Sequence, residues 1–305
     1  MQSSGLYNED SVLHVTGVEY LRIALGTWAV LTIFWLMTLL LVSDSEKRRR
    51  SLHRLTIWLL LGGIEALLVS FPSPHFWLLA YLIALGACLR EINDLQSNTQ
   101  LGLVISIVVL LATGYFIPAF AFGLWIFGAV GLFGLPARLS VSRLAPLFIV
   151  LCYGSPLVVL SGVNLEEVIN LGPLVGCLLL AGHVVDITSG FAGKLGGANP
   201  LPKLSPSKTW FGFVGGLVGS IAFFAGVMWH TDQFSLLALC FAASLLWLLT
   251  TAGDLVGSKF KRIAGAKDFS HILGPHGGIG DRLDSLAPTL TVGWSAALGA
   301  EIVFR

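Results

Sequence analysis

Three observations predict an all-α, polytopic integral membrane protein with about ten transmembrane helices. Hydrophobic side chains make up 55% of the 305 residues and charged ones only 11%, whereas a soluble domain charges roughly a quarter of its positions. The apolar residues gather into runs near the ~20 that a helix needs to cross the hydrocarbon core. The basic residues between those runs fall almost entirely on alternate connections. The 18 Lys+Arg against 17 Asp+Glu leave a net charge of +1, which excludes a nucleic-acid partner gathered by bulk charge. Cys88, Cys152, Cys177 and Cys240 each lie inside an apolar run. Their spacing forms neither a disulfide framework nor a Cys-x-x-Cys metal site, so they read as small core hydrophobes.

In chain order, the apolar runs cover about 18–42, 55–71, 75–89, 101–117, 119–135, 144–161, 168–189, 210–229, 234–253 and 285–304. The first follows an acidic start (Glu9, Asp10, Glu19) and is too long for the apolar part of a cleavable signal, so it reads as a membrane helix. The third is short enough to be tilted or re-entrant, and Pro118 divides the fourth from the fifth. If the connection at 43–54 faces the cytoplasm, alternate connections place 16 of the 18 basic residues on that face, leaving only Arg22 and Arg305 opposite. That split predicts both termini on the non-cytoplasmic side. The cluster from Glu46 to Arg54 reads as a topology signal beside anionic headgroups. No internal repeat is evident. Residues 1–160 form an N-terminal set of membrane helices, and 161–305 a C-terminal catalytic region with two polar cytoplasmic loops, 190–209 and 254–284.

Chemistry concentrates in those loops. At 3.6 residues per turn, Asp254, Ser258, Lys261 and Arg262 share one helical face. A carboxylate, a hydroxyl and two cations on one stripe suit a metal and a phosphate together, although taken alone the stretch also reads as a helix end with cations at its C-terminal dipole. Downstream, Gly274-Pro275-His276-Gly277-Gly278-Ile279-Gly280-Asp281-Arg282-Leu283-Asp284 leads into the last apolar run. Glycines before a helix N-terminus leave backbone N–H groups free to cradle phosphate oxygens. Asp281 and Asp284, one turn apart, then call for a hard cation such as Mg²⁺, since they would otherwise repel the substrate. Elsewhere, Glu65 at membrane depth either bonds a neighbouring helix or lines a substrate cavity. His183, one turn before Asp186, is placed to steady it by a hydrogen bond.

The stretch Ser258-x-Phe260-Lys261-Arg262-x4-Lys267-Asp268-x-Ser270-x2-Leu273-Gly274-Pro275-His276-Gly277-Gly278-x2-Asp281-Arg282-x-Asp284 resembles the signature of the phosphatidate cytidylyltransferases. Upstream, Asp186, Gly193-Lys194-x-Gly196-Gly197 and Lys203-Leu204-Ser205-Pro206-Ser207-Lys208-Thr209-Trp210-x-Gly212 are similar to that family's cytoplasmic loop. There Ser207 or Thr209 can cap the following helix. Specific resemblance covers about 180–285. It implies transfer of a cytidylyl group from CTP to phosphatidate, giving CDP-diacylglycerol and pyrophosphate. Asp254, Asp281, Lys261, Arg262 and Lys267 are then the catalytic candidates. Ser205, Lys208, Thr209, Ser258, His276, Gly277, Gly278 and Arg282 are the substrate-binding candidates, and Asp254, Asp281 and Asp284 hold Mg²⁺ or a cation pair. A homodimer in a bacterial inner membrane, surrounded by membrane lipids and with its active site on the cytoplasmic face, goes with the resemblance. The chain departs from the family pattern at Phe211, where an acidic residue is usual, and at Asp186-Ile187-Thr188-Ser189-Gly190-Phe191. Those positions bear on substrate choice. They keep open transfer to another lipid phosphate, such as an isoprenoid one, and a membrane lipid-handling homologue without turnover.

Overall fold

The computed structural model describes residues 17–40, 44–70, parts of 83–95, 165–196, 200–201, 205–231, 235–274, and 277–289 apart from 287. The expected spans at 101–117, 119–135 and 144–161, and most of those at 75–89 and 285–304, lie outside the described residues. So do His276 and the side chain of Ser205. The described part is helical: α1 (Gly17–Leu40), α2 (Ser45–Ser70), α3 (Leu165–Leu195), α4 (Trp210–Thr231), α5 (Leu236–Ile263) and the short α6 (Gly280–Leu283). Among the described residues, three helices are long and apolar enough to cross a membrane: Val175–Leu195, Trp210–Trp229 and Leu236–Arg262.

Several boundaries differ from the sequence reading. The basic stretch after Asp44 is the first turns of α2 instead of a loop, because Asp44 Oδ1 accepts the Glu46 N–H at 2.9 Å and caps it. Helix α3 runs on to Leu195, so Asp186, Gly190 and Lys194 are helical and the upstream polar loop is shorter than 190–209. The all-α expectation needs one amendment: β1 (Pro200–Leu201) pairs antiparallel with β2 (Ser205–Thr209), a small hairpin that delivers Lys208 and Thr209 to the start of α4. Thr209 Oγ1 accepts the Gly212 N–H at 3.1 Å and caps α4, as the sequence suggested. Ser235 caps α5 in the same way, through Ala238 N–H at 3.2 Å.

Helix α3 is the central element, with 61% of its apolar span buried against 33% for α4 and 28% for α5. Leu180, Ala181, Val184 and Val185 of α3 form one core with Tyr20 and Ile23 of α1, Val69 of α2, Phe223 and Val227 of α4, and Leu246 of α5. The α3–α4 contact is made by absent side chains. A Cβ on Gly212 would lie 2.8 Å from Ser189 O, and Cβ atoms on Gly215, Gly216 and Gly219 would collide with Ala192, Ser189 and Thr188. This i, i+3, i+4, i+7 stripe is the small-residue packing expected where lipid gives helices no hydrophobic reason to associate. Polar contacts reinforce the bundle: Ser220 Oγ donates to Ala243 O at 2.8 Å, and Thr250 and Thr289 hydroxyls meet at 3.1 Å.

Glu65 and His183 pair across α2 and α3 at 2.6 Å, with Trp58 edge-on to the imidazole at 4.8 Å. His183 therefore does not steady Asp186. Its Nε2 instead meets the half-buried Glu65 carboxylate, which would be costly at membrane depth without a partner.

Candidate active site

The C-terminal end of α3, the hairpin, the start of α4 and the middle of α5 enclose a cavity of about 340 Å³. Asp186, Lys194, Lys208, Thr209 and Asp254 line it. Lys208, from β2, forms an ion pair with Asp254 Oδ2, and both side chains keep partial exposure, 24% and 32%. Ser258, one turn on, points its hydroxyl toward Asp254 Oδ1 at 3.4 Å. Asp186, on the α3 wall, accepts a hydrogen bond from Ser285 Oγ at 2.8 Å, which ties the cavity to the segment after α6. The cavity thus carries two carboxylates and two ammonium groups, a mixture suited to a polyanion handled with a hard cation.

A second polar cluster lies just beyond the α5 end of this cavity. Lys261 is buried and its ammonium contacts Asp281 Oδ1 at 2.5 Å and Asp284 Oδ2 at 3.1 Å. It also lies 4.9 Å from the centre of the Phe269 ring, itself stacked on Phe260. Asp284 reaches this place because α5 is glycine where it passes. A Cβ on Gly253 would meet Asp284 O, and one on Gly257 would meet the Asp284 carboxylate. Burial pushes the Asp284 carboxyl up to about 7, against the downward pull of Lys261.

The glycine turn does something other than expected. Gly278 N–H donates to Asp281 Oδ2 at 2.8 Å, as does Phe269 N–H at 2.8 Å. Ile279 and Gly280 N–H groups donate to Glu91, each at 2.9 Å. The amides of Gly278, Ile279 and Gly280 are therefore taken by the protein's own carboxylates instead of substrate phosphate, and that of Gly277 donates to Gly274 O at 3.2 Å. Gly277 takes a left-handed φ of 77°, a conformation that suits glycine.

Of the residues singled out from sequence, Lys208, Thr209 and Asp254 line the cavity, Ser258 meets Asp254 from one turn on, and Lys261, Asp281 and Asp284 converge on one another. Arg262 is exposed and donates to Ala266 O at 3.1 Å, closing the end of α5. Lys267 is exposed on the following turn. The Arg282 guanidinium lies 5.4 Å from the Trp58 ring centre, which links α6 to α2. The structure adds two carboxylates that were not among the candidates read from sequence, Asp186 and Glu91. Asp186 carried a signal, its place in the upstream motif. Glu91 carried none beyond being a charge beside an apolar run.

The donor set suits Mg²⁺ in type, since Asp186 and Asp254 present hard oxygens to a cavity that also holds cations for phosphate. Among the described residues no group of three or more His, Cys, Asp or Glu side chains converges as a ready metal cage.

The cytidylyltransferase family model matches residues 52–298. The chain is 28% identical over 282 residues to a protein of Mycobacterium bovis named phosphatidate cytidylyltransferase, covering 83% of this chain and 90% of that one. Shorter matches are closer: 37% over 121 residues to the Mycobacterium leprae protein of that name, and 40% over 139 residues to the Pseudomonas aeruginosa one. The first covers 39% of this chain and 38% of its relative, the second 42% and 51%. A family match that takes in α2 to α6, cavity and Lys261 cluster alike, makes this chain a member of the cytidylyltransferase family.

Proposed function

We propose that the chain transfers a cytidylyl group from CTP to phosphatidate, forming CDP-diacylglycerol and releasing pyrophosphate. The observation that carries this reading is the ion pair between Lys208 and Asp254. It joins the upstream signature stretch to the polar face of α5 that leads into the downstream one, on the wall of one cavity. A lipid phosphate is already an oxyanion near neutral pH, so one of its oxygens attacks the α-phosphorus of CTP without a general base. The bond from that phosphorus to the β-phosphate oxygen breaks, and pyrophosphate leaves with the electron pair. Catalysis is then positioning and charge neutralisation.

In this reading Lys208 and Lys194 meet the triphosphate from the cavity wall, and Ser258 orients Asp254. Asp254 holds Mg²⁺ together with substrate phosphates, and Asp281 and Asp284 stand beside it with Lys261 between them. When bound, the ion neutralises charge on the reacting phosphates. Arg262 and Lys267, exposed at the same end of α5, are available to the lipid phosphate. Ser205, His276 and Arg282 complete the substrate side of the proposal.

We further take the chain to cross a bacterial inner membrane about ten times, with the cavity on the cytoplasmic side, and to act as a homodimer. Supporting this orientation, Lys194 at the end of α3, Lys208 before α4 and Lys261 at the end of α5 gather at one end of the bundle. Pyrophosphate release from CTP by the purified protein in detergent, with a panel of lipid phosphates, tests the function. Turnover with phosphatidate is expected. Use of an isoprenoid phosphate with phosphatidate ignored would overturn the lipid assignment, and no turnover with any would overturn the enzyme reading.

A further inference from the structure

Glu91 lies in a helical stretch, 90–92, far ahead of both signature regions. Its side chain is 1% exposed. Oε1 accepts from Ser270 Oγ at 2.7 Å and from Ile279 N–H at 2.9 Å, and Oε2 accepts from Gly280 N–H at 2.9 Å. A buried carboxylate is tolerated when several donors converge on it. Here all three come from the loop that carries Asp281.

Two carboxylates thus clasp one turn. Asp281 Oδ2 takes the amides of Phe269 and Gly278, and Glu91 takes the next two along the chain. The glycines follow from this arrangement. A Cβ on Gly278 would overlap the Glu91 carboxylate, and one on Gly277 would overlap that of Asp281. With Oδ2 so held, Asp281 has Oδ1 to offer Lys261. Glu91 fills its own oxygens with amides and a hydroxyl and is closed to solvent, so it touches no substrate.

We propose that Glu91 is a positioning residue for cytidylyl transfer: by holding the Ile279 and Gly280 amides and Ser270, it sets Asp281 and Asp284 against Lys261. The inference rests on the transfer reading above, and one of its two tests needs no substrate. Glu91→Gln preserves shape but turns an amide N–H₂ toward one of the three donors. It is expected to lower kcat roughly 10- to 100-fold, the scale of a small misplacement of reacting groups, with KM for CTP and lipid within about threefold. Hydrogen exchange of residues 277–284, read without substrate, should quicken about tenfold or more as a bonded amide is released. Ser270→Ala removes one donor and should cost about two- to tenfold in kcat. It should add little to Glu91→Gln, because both act on one cluster. It also carries the test if Glu91→Gln fails to fold. Arg90→Gln, exposed on the same stretch, should match the wild type. Wild-type kcat and exchange in Glu91→Gln would overturn the proposal. So would a KM rise at constant kcat, or full additivity with Ser270→Ala. An enzyme inactive toward phosphatidate whose exchange still quickens would instead indict the transfer reading.

Discussion

Asp254 and Asp281 differ in what surrounds them, and that difference sets how each should respond to change. Asp254 is partly exposed to the cavity and balanced by Lys208, whereas Asp281 is buried with Lys261 on one oxygen and two amides on the other. Replacing either by Asn removes an anionic contributor while keeping shape, so each variant is expected to insert and lose at least ~100-fold in kcat. The double variant should lose little more than the worse single one, since the two act as a unit; rates of pyrophosphate release check both. Asp284 gives a pH prediction. Its carboxyl rises from an ordinary 3.8 to about 7, so the folded protein keeps a proton that the unfolded chain releases. That contribution to stability is fully present below the unfolded value and is lost as pH rises through about 7. Without divalent ions, the thermal midpoint should therefore fall as pH is raised from 3.8 toward about 7 and level off above it, and Asp284→Asn should flatten the dependence. Asp254 and Lys261 were legible in sequence because helical spacing put them on one face. Glu91 was not, because a single carboxylate at the end of an apolar run looks the same whether it meets water or three distant donors.

Helix α4 shows how an element's sequence encodes its neighbour. Gly212, Gly215, Gly216 and Gly219 face α3, but Gly226, farther along, has nothing within 4 Å of where its Cβ would be. Gly219→Val should thus force the helices apart and cost about 1–3 kcal/mol. Gly226→Ala should be neutral or gain up to about 1 kcal/mol from helix propensity. Thermal unfolding in detergent, compared between the two variants, checks the contrast. The runs that became α1 and α4 were readable from hydropathy to within two residues at each end, whereas α5 continues ten residues past the run at 234–253. Their flanks were harder. Helical backbone extends beyond the apolar run at the start of α2, where Asp44 caps it, and at both ends of α3. The hairpin at 200–209 escaped notice because two residues pairing with five give no alternating pattern to find.

Among the described residues, Lys194 at the end of α3, Lys208 on β2 just before α4 and Lys261 near the end of α5 gather at one end of the bundle. Cysteines introduced for Lys267 and for Gln233, in the connection between α4 and α5, should therefore label from opposite faces, with Lys267 cytoplasmic. Labelling of both from one side would remove the orientation. The broad reading, a helical protein of the cytidylyltransferase family with apolar spans, was legible because dense motifs and apolar runs are local signals. The linkage of the last third to earlier helices was not, as with Arg282 on Trp58, Glu65 with His183, and Glu91 with the glycine turn. The last of these bears on how the protein is made. Glu91 meets its donors 179 to 189 residues farther along the chain, so the ribosome delivers the carboxylate long before anything that can satisfy it. A nascent chain halted ahead of Ser270 would carry Glu91 without any of these three donors. Synthesis past Gly280 would supply all three donors almost at once, so maturation of the enzyme is timed by the end of translation.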